Sequence, residues 1–170
     1  LSSFVSDEDV LTRFVDIEIA VGLIGGVSAA LLFIAFSWQG VPFRTLLYVL
    51  VFMVGMLVGM EVPLVMRALN ARQTGFTQLV SNVLTFDYLG ALAVSVLFPL
   101  LLAPALGLAR TGFLFGILNL GIALLTLHVF RRELKDPVGR LLRALGVLLL
   151  LLAGFVFSER LVAWGERGLF

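Results

Sequence analysis

Cysteine is absent, and histidine occurs once, at His128. The first absence excludes a disulfide framework and any thiolate metal site, and the second leaves no histidine cluster. Charge is also scarce. With 14% charged against 61% hydrophobic residues and a mean hydropathy of +1.12, there is too little polar surface to cover a soluble globule of 170 residues. The formal net charge is only +1, and the basic residues are not interleaved with aromatics in a polar segment, which argues against nucleic acid as a partner. Missing as well are a Gly-rich nucleotide loop after a strand, a Ser-His-Asp set and any metal-ligand spacing. No catalytic constellation and no cofactor site are therefore expected in this chain. It begins at Leu1, and its first residues have neither the basic start nor the apolar core of a signal peptide, so it reads as a piece of a longer protein.

What the chain does have is apolar runs of bilayer length, at about 14–36, 43–66, 82–103, 111–130 and 141–161. The expected fold is an all-α polytopic membrane bundle of about five transmembrane helices. Residues 1–13 read as a juxtamembrane segment, 14–163 as the bundle, and 164–170 as the start of a linker to a further domain.

Residues 81–102 read as the organising stretch. On a helix Asp87, Ala91 and Ser95 fall at four-residue spacing, and that small, polar face is expected to pack inward. The first run sets Glu18, Gly22, Gly25 and Ala29 on one face, with Gly22 and Gly26 spaced for close approach of another backbone. In the second, Gly55 and Gly59 form a similar pair, Pro63 frees a backbone carbonyl near Gly59, and the Glu61 carboxylate must find a donor or water. A polar loop is expected over 70–78. The fourth run lines up Gly112, Gly116, Asn119, Ala123 and Thr126, and Asn119 at mid-membrane needs a partner on a neighbouring helix. The fifth, with five leucines at 148–152, looks lipid-facing. Trp38 suits an interfacial anchor, and His128 suits a bond to a helix carbonyl.

Five crossings sort Arg13, Arg67, Arg72, Arg131, Arg132, Lys135, Arg140 and Arg143 to one surface, and Arg44, Arg110, Arg160 and Arg167 to the other. The positive-inside rule makes the richer surface cytoplasmic and puts the two ends of the chain on opposite sides. Glu18, Glu61 and Asp87 fall on the basic side. Three roles stand open for them: salt bridges to Arg13, Arg67 and Arg72, a site for a cationic ligand, or ion and proton coupling. A small transporter-like module and a purely structural or self-associating anchor are the corresponding rival functions.

Five segments, EVPLVMR at 61–67, SNVLTFDYLGAL at 81–92, FPLLL at 98–102, LGLART at 106–111 and LFGILN at 114–119, resemble the membrane-integrated form of spermidine synthase, a polyamine aminopropyltransferase with a multi-pass segment ahead of its catalytic domain. The resemblance covers nearly the whole chain, and the SNVLTFDYLGAL run is its most specific part. It implies an enzyme of the bacterial inner membrane whose C-terminal Rossmann-like domain moves an aminopropyl group from decarboxylated S-adenosylmethionine to putrescine. This chain would then be the N-terminal membrane domain, inactive alone, with the bilayer and that C-terminal domain as partners. Putrescine or spermidine would be a third partner if Glu18, Glu61 and Asp87 hold amine, and homo-oligomers a fourth. No catalytic residue carries over. The resemblance also conflicts with the charge count, because cytoplasmic substrates call for a C-terminus on the basic side. Either the count misleads, or one segment is re-entrant, or the catalytic domain faces outward.

Overall fold

The structure, a computed structural model, describes residues 7–37, 42–70 and 76–166. They form α1 (Asp7–Ser37), α2 (Phe43–Asn70), α3 (Phe76–Leu97), a π-helical turn (Phe98–Leu102), α4 (Ala103–Val129) and α5 (Pro137–Glu166), and no strand occurs among the described residues. Trp38 and Arg72 lie outside them. α1 starts at Asp7, so the stretch assigned to a juxtamembrane segment is in part the first turns of that helix. α2 runs on to Asn70 and α3 begins at Phe76, which shortens the expected polar loop.

Among the described residues four helices are long and apolar enough to cross a membrane: Val10–Ser37, Phe43–Ala68, Thr77–Val129 and Pro137–Arg160. The third of these joins the two runs expected at 82–103 and 111–130. Pro99, which lacks an N–H and clashes with the preceding turn, is expected to bend or end the helix, and Pro104 and Gly107 to stop it. Instead the chain widens into the π turn, closed by the Ala103 N–H on the Phe98 carbonyl. The break comes at Gly107, whose φ of 76° and ψ of 169° suit a residue without Cβ. Buried Thr111 stabilises it, its hydroxyl 2.7 Å from the Gly107 carbonyl and 3.3 Å from that of Leu102.

The core is the junction of α1, α4 and α5. Along α4 the buried residues are Phe113, Gly116, Leu120, Ala123 and Leu127, a three-then-four spacing that turns one stripe inward. Gly116 and Ala123 were on the expected face, whereas Gly112, Asn119 and Thr126 are half-buried flanks of it. Gly22 and Gly26 of α1 meet this stripe. A Cβ on Gly116 would lie 2.5 Å from the Gly22 carbonyl oxygen and 2.8 Å from the Gly26 Cα, and one on Gly112 would lie 3.2 Å from the Ala29 Cβ. Rising numbers on α1 thus match falling numbers on α4, so the two run antiparallel. α5 pairs Arg140 with Asp16 and Leu151 with Gly26, and runs parallel to α1.

Leu151 corrects the view of α5 as wholly lipid-facing. It is fully buried, and its methyls sit over Gly26 and Gly116. The two glycines leave a hollow between α1 and α4, and a leucine fills it. Leu149, Leu150 and Leu152 do face outward.

A second correction concerns α3. Among the described residues it packs only against α2 and the π turn, and residues 85–97 are all exposed, including Asp87, Ala91 and Ser95. The expected inward face has no partner among the described residues. On α2, Gly55 and Gly59 likewise meet nothing within 4 Å. The glycine pair that brings helices together is the one on α1.

The entry to α5 is a helix cap. Asp136, at φ 44°, accepts the Gly139 N–H at 3.1 Å through Oδ1, with Pro137 in the first helical position. Asp136→Ala is expected to cost about 1 kcal/mol, read as a lower unfolding temperature of the full-length protein, and an unchanged midpoint would discard the cap.

Candidate functional site

The two ends of the bundle carry different polar chemistry. At one end Asp16 of α1 takes both Nε and Nη2 of Arg140 on α5 at 3.0 Å, a two-pronged carboxylate–guanidinium contact. Arg140 also donates to the carbonyls of Lys135 and Asp136, while Arg143 stands 3.9 Å from Asp16. The Lys135 N–H reaches the Thr12 hydroxyl at 3.3 Å. These contacts tie the start of α5 to α1, and sequence reading missed them because Asp16 and Arg140 are far apart in the chain.

At the other end Arg110 bonds Glu159 at 3.0 Å and the Ser158 hydroxyl at 2.9 Å, and its guanidinium lies 6.0 Å from the Phe155 ring centre. Beside it opens a groove of about 970 Å³ whose walls include Phe33, Phe36, Phe43, Phe98 and Phe115. Sequence reading gave Arg110 no partner.

The carboxylates singled out in the sequence separate into two groups. Glu18 lies nineteen residues before the end of α1 and Glu61 eighteen after the start of α2. At ~1.5 Å per residue both then sit about 27–29 Å along the hairpin from its turn. α1 and α2 pack against each other along this hairpin. Glu18 is 4% exposed, and the Oε1 of Glu61 is buried with no hydrogen-bond partner. Among the described residues neither carboxylate has an ion pair, so salt bridges to Arg13 and Arg67 are not formed. Asp87 is not part of this pair. It is exposed on α3, again without an ion pair among the described residues.

Two residues apart on a helix means about 200° around its axis. Asp16 therefore faces α5 and its arginines, while Glu18 is turned away from them, and Arg140 and Arg143 form their ion pairs with Asp16. Asn119 stands close by on α4, its Cβ 3.5 Å from where a Cβ on Gly22 would be, one turn along α1 from Glu18. No hydrogen bond of its side chain to a neighbouring helix is formed among the described residues. His128 is exposed at the end of α4, beside Arg131 and Arg132. No group of three or more acidic or histidine side chains converges as a metal would require, among the described residues.

The fold and these sites define a class: an apolar helical bundle with ion pairs at its ends. Comparison places it further. The chain is 58% identical over 174 residues to polyamine aminopropyltransferase 2 of Ralstonia nicotianae, a match that takes in 100% of the chain and 34% of that protein. It is 42% identical over 164 residues to polyamine aminopropyltransferase of Leptospira interrogans, covering 96% of the chain and 32% of the relative. With the protein of that name from Mycobacterium tuberculosis it shares 36% over 171 residues, or 92% and 32%. The chain belongs to the polyamine aminopropyltransferase family, and it spans about a third of the length of these curated relatives. No protein-family model matches it, and no solved structure matches it.

Proposed function

We propose that this chain is the N-terminal membrane domain of an aminopropyltransferase of the spermidine synthase type, and that it holds the catalytic part of that protein at the bacterial inner membrane. The observation that carries the reading is identity along the whole chain to one third of proteins named for that activity, in a segment built of bilayer-length helices. The catalytic groups, and the sites for decarboxylated S-adenosylmethionine and putrescine, belong to the other two thirds. The chain alone then transfers no aminopropyl group, since it has no nucleotide loop and no convergent acid set for the chemistry.

Five crossings fit the helices better than four. The run Thr77–Val129 is 53 residues long, about 80 Å if straight against ~30 Å of hydrocarbon, and it is broken at Gly107. α4 runs antiparallel to α1, so it starts at the end where α1 stops, and α2 has already returned to the other end. α3 must carry the chain back across. The basic residues of the α4–α5 connection then share a side with Arg13 and Arg67, and the positive-inside rule makes that side cytoplasmic.

The test is cysteine labelling of the full-length protein in sealed membranes. Asp136→Cys is expected to react only with reagents that reach the cytoplasm, and Gly165→Cys only from outside. Reaction of both from one side would mean that the run through α3 and α4 does not cross twice. A stretch with no access restriction at either position would remove the membrane reading altogether.

A further inference from the structure

The hairpin of α4 and α5 carries Arg131, Arg132, Arg140 and Arg143 near its turn, and these divide by what holds them. Arg140 and Arg143 are committed to Asp16, and Arg143 also stands 4.0 Å from Asp136. Arg131 and Arg132 are exposed, and neither has an ion pair or a side-chain hydrogen bond among the described residues. Beside them, between the two helices, opens a hollow of about 460 Å³. Leu127, Val138 and Leu141 give it apolar walls, His128 joins the two arginines at its rim, and no acidic side chain lines it.

Two contacts to α1 fix the depth of this hollow. The span Val10–Ser37 has its middle between Leu23 and Ile24; Asp16, held by Arg140, lies seven to eight residues from it, and Thr12, bonded to the Lys135 N–H, eleven to twelve. At ~1.5 Å per residue these are about 11 and 17 Å from the middle, against ~15 Å for half the hydrocarbon. The apolar walls at the start of α5 thus sit just inside the hydrocarbon edge. The turn that carries Arg131 and Arg132 sits just beyond it, at the depth of lipid phosphates.

We propose that the α4–α5 hairpin binds one anionic phospholipid, with its phosphate on Arg131 and Arg132 and the upper part of an acyl chain in the hollow. The inference rests on the membrane-domain reading above. A guanidinium meets phosphate oxygens through two parallel N–H bonds, and both of these guanidiniums have their donors unspent. An anionic headgroup is favoured over a zwitterionic one because nothing acidic lines the hollow to take an ammonium. The groove at the other end differs on this point, since Arg110 there is already neutralised by Glu159. A free phosphate ion would meet the same arginines but leave the apolar walls to water, so a lipid is the occupant that uses both. Loop arginines that merely face a membrane surface need no hollow and select no particular headgroup beyond its charge.

The experiment is native mass spectrometry of the full-length protein in detergent, titrated with dioleoylphosphatidylglycerol or dioleoylphosphatidylethanolamine, which share acyl chains and differ in headgroup charge. The first phosphatidylglycerol per chain is expected to bind about tenfold or more tighter than the first phosphatidylethanolamine, and the double variant Arg131→Gln, Arg132→Gln to lose that preference. Both residues are exposed in the turn, so the bundle should keep its unfolding midpoint. Arg67→Gln removes an exposed cation from the same end and should leave the preference intact. Leu141→Trp fills the hollow without changing charge, and should weaken phosphatidylglycerol severalfold. Equal affinities in the parent, a preference that survives loss of both arginines, or an equal loss with Arg67→Gln each defeats the proposal. So does phosphatidylglycerol binding indifferent to Leu141→Trp, which would leave surface charge alone as the cause. Absence of a lipid preference with sided cysteine labelling removes this site and keeps the membrane domain, whereas unrestricted labelling removes the membrane reading itself.

Discussion

Gly116→Val in the full-length protein is expected to lower stability by about 3 kcal/mol or more, at the upper end of what overpacking a core costs. The reason is what stands opposite. A Cβ at position 116 would meet the Gly22 carbonyl oxygen at 2.5 Å, the Gly26 Cα at 2.8 Å and a Leu151 methyl at 3.0 Å. The first two are backbone, which cannot rotate away as a side chain can, so α1 and α4 must move apart. That separation also empties the hollow filled by Leu151, and adds a cavity to the strain. Gly121 on the same helix is the control, because nothing lies within 4 Å of its Cβ position. Gly121→Val should leave the unfolding midpoint in detergent nearly unchanged. Equal losses at the two positions would show that helix propensity, and not close approach, explains the result.

Breaking the Asp16–Arg140 contact is expected to have the next largest effect. Arg140 is only 12% exposed at its side chain, and its partner is 40% exposed, so the pair lies between the weak surface limit and the strong buried one. Arg140→Met and Asp16→Asn should each cost about 1–3 kcal/mol, and salt should offset little of it because one member is shielded. The double variant should lose less than the sum of the singles, since once Arg140 is gone the carboxylate retains only the longer contact from Arg143 at 3.9 Å. Strict additivity in this cycle would mean that the two side chains do not act as a pair.

Much of the bundle was legible in the chain itself. Bilayer-length runs gave the helices, and the four-residue spacing of Gly22 and Gly26 marked the closest helix contact. The reading of α5 failed for a physical reason. In a soluble helix the polar face marks the outside, but a helix such as α5 is apolar all round, and lipid and core ask for the same leucines. Nothing in residues 148–152 distinguishes Leu151, which is buried, from Leu150, which is not. α3 failed in the opposite sense. Its small and polar stripe at Asp87, Ala91 and Ser95 looked like a contact face, yet α3 finds only α2 and the π turn to pack on.

The candidate site was legible by halves. Glu18 and Glu61 could be placed at one level of their hairpin by counting, and both are shielded there, Glu18 at 4% exposure and Glu61 through its buried Oε1. Asp87 was grouped with them because it is near Glu61 in the chain, which says little once α3 stands away from its neighbours. Asp16 was passed over because its partner lies on α5, and no local spacing announces so distant a contact.

The isolation of α3 divides the chain into parts that resist unfolding to different degrees. α1, α4 and α5 interlock through backbone and side chains, so none can loosen without exposing the glycine seam to the others' loss, and they should melt as one cooperative unit. α3 contributes almost nothing to that unit and takes almost nothing from it. Its backbone bonds are internal to the helix. It can therefore tilt, shift or meet a new neighbour while the three-helix core stays intact.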